Sequence, residues 1–336
     1  MAEHDWNARR RALWEQRLRV EAKRDEAHAR RTALRARLMD GTSVFALFEP
    51  LLRMLRLFSR GQQNATQPLL EQLTFSFDAL PGAFDRFRVL HLSDMHFRAG
   101  DDGFAEVIAQ LISGIHVDLC VMTGDFRFEH HGPFDHVARA LDVLLPAIHS
   151  RRGVIAILGN HDRSAFVPVF RDKGIAVLIN DRVRIAPGDL TSPETLSQEA
   201  PKTPETESNH DPIWIAGVDD PHHFRCDDLE AATEGIPPVD FTILLAHSPE
   251  LALASPKYHI DLYLCGHTHW GQVRLPWIGP VFLNARCPRR FCAGRWESGG
   301  TQGYTTAGLG TTDVPVRFNC PPSAAVITLR RRGPLS

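Results

Sequence analysis

Short, nearly continuous apolar runs recur through the middle of the chain, and each is cut off by polar residues of a restricted kind. Phe87 to Leu92 ends in Ser93-Asp94-Met95-His96, and Leu119 to Thr123 ends at Gly124-Asp125. Val154 to Leu158 ends in Gly159-Asn160-His161-Asp162, Phe241 to Ala246 in His247-Ser248-Pro249, and Ile260 to Cys265 in Gly266-His267-Thr268-His269. Runs this short and this apolar suit parallel strands buried on both faces. Helical patterns over 103–113, and from Pro133 towards Ser150, alternate with them. Further strands are expected at Ile175–Ile179, Val183–Ile185, Ile213–Val218 and Ala325–Leu329. The alternation predicts an α/β fold with right-handed crossovers. Ligands in such sheets bind at the carboxyl ends of the strands, so the polar clusters should converge.

The flanks read differently. Residues 1–40 hold 11 Lys+Arg against 7 Asp+Glu, with only Trp14, Leu18, Leu34 and Leu38 as a thin apolar stripe. This predicts a solvated or paired helix loosely tied to the body. Over Val44 to Arg60, Glu49, Arg53, Arg56 and Arg60 share one helical face and Phe45, Phe48, Leu51, Leu52, Leu55 and Phe58 the others, with a bend or restart expected at Pro50. Such a helix either covers a core or subunit contact, or lies on an anionic membrane. The expected organisation is therefore a charged and amphipathic helical extension over 1–60, a linker over 61–83, and a catalytic domain over 84–330. Within that domain, 186–212 mixes Pro, Ser, Thr and Glu without an apolar period and reads as a mobile surface insert.

Composition narrows the class. The 336 residues are 43% hydrophobic, enough for a sizeable core, and the net charge of −2 gives no field for long nucleic acid. Six cysteines without a C-x-x-C pair read as buried thiols in a reducing compartment. Neither a signal peptide nor a spanning apolar run is evident. A cytoplasmic protein is expected, peripheral on the membrane face if residues 44–60 make that contact.

The chemistry lies in the clusters taken together. In an extended segment, residues i and i+2 face the same way, so Asp94 with His96, and His267 with His269, each present two ligand-type side chains to one place. Asp94, His96, Asp125, Asn160, His247, His267 and His269 mix carboxylate, amide and imidazole donors, which suit Mn²⁺, Fe or Zn²⁺. Seven donors exceed one ion's needs and, shared through a carboxylate, suit two ions about 3.5–4 Å apart. Taken singly, Asp125 reads as a helix cap, Asn160 as a turn former and His247 as a core histidine.

The ordered set D-x-H, G-D, G-N-H-D, H and G-H-x-H, complete from Asp94 to His269, resembles the calcineurin-like metallophosphoesterase superfamily. The resemblance covers roughly 84–330 and implies a four-layer α/β/β/α sandwich, with the N-terminal helices outside it. It implies that Asp94, His96 and His269 hold one divalent ion and Asn160, His247 and His267 another, with Asp125 bridging. It also implies that His161, oriented by Asp162, faces the scissile phosphate, and that a metal-activated hydroxide attacks it. The segments Ala216 to Asp220, Gly271 to Pro276 and Pro315 to Pro322 resemble a bacterial branch of membrane-associated phosphodiesterases and UDP-2,3-diacylglucosamine pyrophosphatases of lipid A synthesis. A soluble phosphodiesterase acting on nucleotides, and a non-catalytic scaffold, are the competing readings. Trp270 follows the last histidine, where a bulky ring would reshape the substrate mouth. Arg289, Arg290 and Arg295 are the expected phosphate contacts beyond the ions. Arg127, His130-His131 and His222-His223 read as solvated loop residues.

Overall fold

The computed structural model describes residues 8–35, 44–100, 103–188, 211–281 and 283–333, so most of the expected insert lies outside the described residues. In chain order the principal strands are β1 (Leu69–Phe77), β2 (Arg88–Leu92), β3 (Leu119–Met122), β4 (Val154–Ala156), β5 (Ile175–Val177), β6 (Asp181–Ile185), β7 (Ile213–Gly217), β8 (Phe241–Leu245), β9 (Leu262–Cys265), β10 (Gly294–Ser298), β11 (Thr301–Thr305) and β12 (Ser323–Arg331). They form two six-stranded sheets, ordered β1-β12-β2-β3-β4-β5 and β10-β11-β9-β8-β7-β6. The runs β2 to β5, and β7, β8, β9 and β11, are parallel; β12 meets β2 antiparallel.

The apolar runs explain the layering. Val89, Val121, Ile155, Ile215, Ile243 and Leu264 meet between the sheets in one core. Large apolar side chains buried in this way each contribute about 1.5–3 kcal/mol. The other face of the first sheet is covered by α4 (Gly103–Ile112), α5 (Asp135–Leu144) and α6 (Phe166–Asp172), through Ile108, Leu141 and Phe170. The second sheet is covered by α7 (Leu229–Thr233) and short turns carrying Ala252 and Phe291. This is the α/β/β/α order, with helix-free strand ends left open on one rim.

The expected linker is not one. Its first part is helix, and Leu69–Phe77 pairs in parallel with Ser323–Arg331 at the edge of the first sheet. Leu73, Phe75 and Phe77 alternate into the inter-sheet core, a period-two signal hidden by the polar residues between them. Pro50 lies within α2 (Val44–Met54), and the expected single helix breaks after Met54, with α3 (Phe58–Ala65) following. Leu52 and Phe58 are buried against Val273, Val314 and Val316.

The larger departure is α1 (Ala8–Arg35), which is anchored rather than loose. Arg17, fully buried, donates to the Glu21 carboxylate (2.8 Å), to Asp219 and to the Asp162 carbonyl (2.7 Å), and stacks on Phe224 (3.6 Å). Glu21 accepts from the Ser164 amide and hydroxyl, and Arg9 pairs with Asp228. The helix docks largely by its charged face; of the expected apolar stripe, Trp14 packs half-buried on the core and Leu18 is exposed.

Candidate metal centre

All the polar strand ends meet on the open rim. Asp94 and His96 follow β2, Asp125 follows β3, Asn160 to Asp162 follow β4, His247 follows β8, and His267 and His269 follow β9. Three groups have ligand atoms within 4.8 Å of one another: Asp94, His96 and His269; Asp125, His247 and His267; and His96, Asp125 and His161 between them. The Asn160 carboxamide oxygen lies 2.9 Å from His247 Nε2, which joins it to the second group.

Extended backbone is not what aims these side chains. Asp94, His96, Asp125, His267 and His269 all have left-handed φ, between 46° and 69°. For residues with a Cβ this costs roughly 1–2 kcal/mol each, and such strain gathers at functional sites. One consequence is that His267 and His269 diverge, one to each outer group, instead of sharing a place. Glycines permit the crowding: a Cβ on Gly266 would lie 2.0 Å from Asp94 Oδ2, and one on Gly159 would lie 2.3 Å from Asp125 Oδ1.

Hydrogen bonds behind the rings fix their orientation. Nδ1 of His96, His161 and His247 donates to the carbonyls of Arg127 (3.2 Å), Phe128 (2.6 Å) and Thr123 (2.8 Å), turning Nε2 inward. His269 differs, for Nδ1 lies 3.0 Å from the buried Arg317 guanidinium, which also donates to the Ala307 and Gly308 carbonyls. Inside the site, Nε2 of His96 and His269 face each other at 3.1 Å, and Nε2 of His267 is buried without a hydrogen-bond partner among the described residues. Nitrogens aimed into a common buried space, with carboxylates between them, fit a bound cation. Burial pushes Asp94 up to about 6 and holds His96, His161, His267 and His269 well below the ordinary imidazole value. Burial acts against the charge on His247 too, but Asp125 and Asp94 raise it to about 10.

Asp162 does not orient His161. Its carboxylate accepts the backbone amides of Asp125 (2.7 Å), Phe126 (2.9 Å) and Gly159 (2.8 Å), and among the described residues it makes no bond to the His161 ring. Three amides converge on it because the loops after β3 and β4 cross there, so Asp162 holds those two loops together. The expected arginine cluster lies away from the site. Arg295 donates to the Thr74 carbonyl, Arg289 to that of Pro280, and Arg290 stacks on Phe291. Trp270 turns away from the mouth; its ring packs on the inter-sheet core and Nε1 donates to the Thr305 carbonyl (2.6 Å).

Residues read as solvated take these places. Above the centre is a cleft of about 1110 Å³ whose lining includes His130, His131, His222 and His223, together with Arg24 and His28 of α1. His130 stacks on His161 with ring centroids 3.6 Å apart. Arg127 is buried and donates to the Gly132 carbonyl, a structural role.

The chain belongs to the calcineurin-like phosphoesterase family, which residues 87–271 match. Members of this family use divalent metal ions, and membership makes the protein a metal-dependent phosphoester hydrolase. It is 29% identical over 270 residues to YkuE of Bacillus subtilis, an uncharacterized metallophosphoesterase, covering 76% of this chain and 84% of that one. It is 28% identical to the phosphodiesterase YaeI of Escherichia coli, covering 72% and 82%. A third relative, the UDP-2,3-diacylglucosamine pyrophosphatase LpxG of Chlamydia trachomatis, is 27% identical, covering 66% and 75%.

Proposed function

We propose that the protein hydrolyses a phosphodiester or phosphoanhydride bond at a two-ion centre, on a substrate such as a lipid-linked diphosphate of the UDP-2,3-diacylglucosamine kind. The observation that carries this reading is the linkage of the three ligand groups through Asp125 and His96. Asp94, His96 and His269 would hold one ion, and Asn160, His247 and His267 the other, with Asp125 shared. Ions bound there, of which Mn²⁺ is our first choice, would supply Lewis acidity to the phosphoryl oxygens and lower the pKa of water towards neutrality. The protein's own part is orientation. Carbonyls fix the rings, Asp162 fixes the loops, and His161 directs Nε2 at the floor, 3.9 Å from Asp125 Oδ2. His161 is placed to hold the phosphoryl group or pass a proton to the leaving oxygen.

Hydrolysis of bis-p-nitrophenyl phosphate should vanish on chelation and return with Mn²⁺. His161→Ala should keep its ions by elemental analysis yet lose about 10²–10⁴-fold in kcat. Undiminished activity after verified metal removal, or loss of the ions from His161→Ala, would refute the assignment.

We also propose a peripheral membrane contact through residues 44–60. Among the described residues no helix is long and apolar enough to cross a membrane. Leu51, Met54 and Leu55 are exposed although Leu52 beside them is buried. The turn after Val273, which packs on the same small core, exposes Trp277 and Ile278. These are the side chains that would enter a lipid interface. The intact protein should co-sediment with anionic liposomes, and Met54→Asp with Trp277→Asp should release it. Absence of sedimentation by the intact protein would rule the contact out.

A further inference from the structure

The cleft has one wall that the phosphoesterase core does not supply. Arg24, Ala27 and His28 come from α1, outside the matched family segment 87–271. Arg17, Glu21, Arg24 and His28 are spaced by four, three and four residues, so they share one helical face. The first two are locked onto the loops that carry Asp162, Ser164 and Asp219, so the Arg24 position is set by a buried anchor.

This wall carries the Arg24 guanidinium and a row of imidazoles leading outward from the centre. His130 stacks on His161 at 3.6 Å, and His223 follows His130 at 5.8 Å. Arg24 stands beside His223, donating to its backbone carbonyl (2.8 Å), and among the described residues no carboxylate pairs with Arg24. Of the nearby acids, Asp25 pairs with Arg163 and His131, and Asp220 is taken up by the backbone amides of His222, His223 and Phe224. A guanidinium with donors to spare, on the rim of a cleft and next to two imidazoles, suits a phosphate.

Building on the hydrolase reading above, we propose that Arg24, His130 and His223 form a second anion subsite, which takes the phosphate adjoining the scissile one in a diphosphate diester. The attacked phosphorus lies over the ligand groups facing His161, and the next phosphate, one bridging oxygen away, meets His130 and Arg24. Water adds its oxygen to the attacked phosphorus as the P–O–P link breaks. The bridging oxygen stays with the phosphate on the wall, two phosphomonoesters leave, and the water's protons go to solvent. A single-phosphate diester leaves the wall unused, so α1 selects for diphosphates.

The test is calorimetry on the Mn²⁺-loaded, full-length protein with methylenediphosphonate and with inorganic phosphate. The ratio of the two affinities is the readout. It should fall about tenfold or more in Arg24→Gln, the effect of losing a charge-assisted bond, and recover in part in Arg24→Lys. His223→Gln should lower it as well, and an unchanged melting temperature in each variant separates a lost subsite from a loosened helix. A wild-type ratio preserved in both Arg24→Gln and His223→Gln would overturn the proposal. Because binding is read without turnover, a preserved ratio counts against the subsite even if hydrolysis is confirmed. A failure to hydrolyse any phosphoester counts against the catalytic reading alone.

Discussion

Asp125→Ala is expected to release the bound ions and lower kcat by at least about 10³-fold, since metal charge stabilisation is worth several kcal/mol. Asp125 is the carboxylate that belongs to two of the three ligand groups. Asp125 Oδ2 lies 3.2 Å from His247 Nε2 and 3.5 Å from His96 Nε2, and Oδ1 accepts the His161 amide at 2.8 Å. Removing the carboxylate leaves His247 without its main counter-charge and separates the two ligand groups. Alanine also fits poorly at the left-handed φ of 55°, so Asp125→Asn is the companion variant, because asparagine tolerates that conformation. Elemental analysis of both folded variants checks the claim. Two tightly bound ions in either, with activity intact, would show that the carboxylate is not the shared ligand.

The second large effect concerns stability. Arg17→Ala should cost about 3–5 kcal/mol, the usual result of removing one partner from a buried ion pair. Burial opposes the charge on Arg17, but Asp219 and Glu21 more than offset it and raise its pKa. Without the guanidinium, Asp219 is left buried, and the Asp162 carbonyl loses its donor. Two readouts follow: a lower melting temperature, and faster amide exchange along α1 than in the strands. Activity should drop as well, because Arg17 ties α1 to the loop that carries His161. Unaltered melting and exchange in Arg17→Ala would mean that the pair contributes nothing net.

These two predictions mark what the sequence does and does not disclose. The candidate ligand positions are legible because each ends an apolar run, and a strand that stops abruptly puts the next residues on the sheet's rim. That logic is local, and it brings Asp94 through His269 to one rim without any knowledge of their partners. The backbone that aims them was misread: an extended H-x-H places both rings together, whereas left-handed His267 and His269 send them apart. The docking of α1 was not legible. Its buried face is Arg17 and Glu21, which in a linear reading mark a solvated helix; only the remote Asp219 and Ser164 make that face an inside. The arginine expectation failed for a related reason. Charge alone favoured Arg289, Arg290 and Arg295, but it gives no direction, and the arginines that line the cleft are Arg24 and Arg163.

The pairing of β1 with β12 bears on how this protein emerges from the ribosome. Leu69 adjoins Ser323, and β12 sits between β1 and β2 in the first sheet. Strands β2 to β5 can associate as they are made, but an edge facing β12 stays unpaired until residues beyond Ser323 exist. The same late segment brings Leu309 and Gly310, whose amides donate to the carbonyls of Ser93 and Asp94, and Arg317 behind His269. Such long-range closure is slow and leaves an exposed strand edge open to wrong partners in the meantime. Nascent chains of this protein therefore carry the histidines of the rim through synthesis without a finished site, and the candidate metal centre is assembled only with the completed sheet.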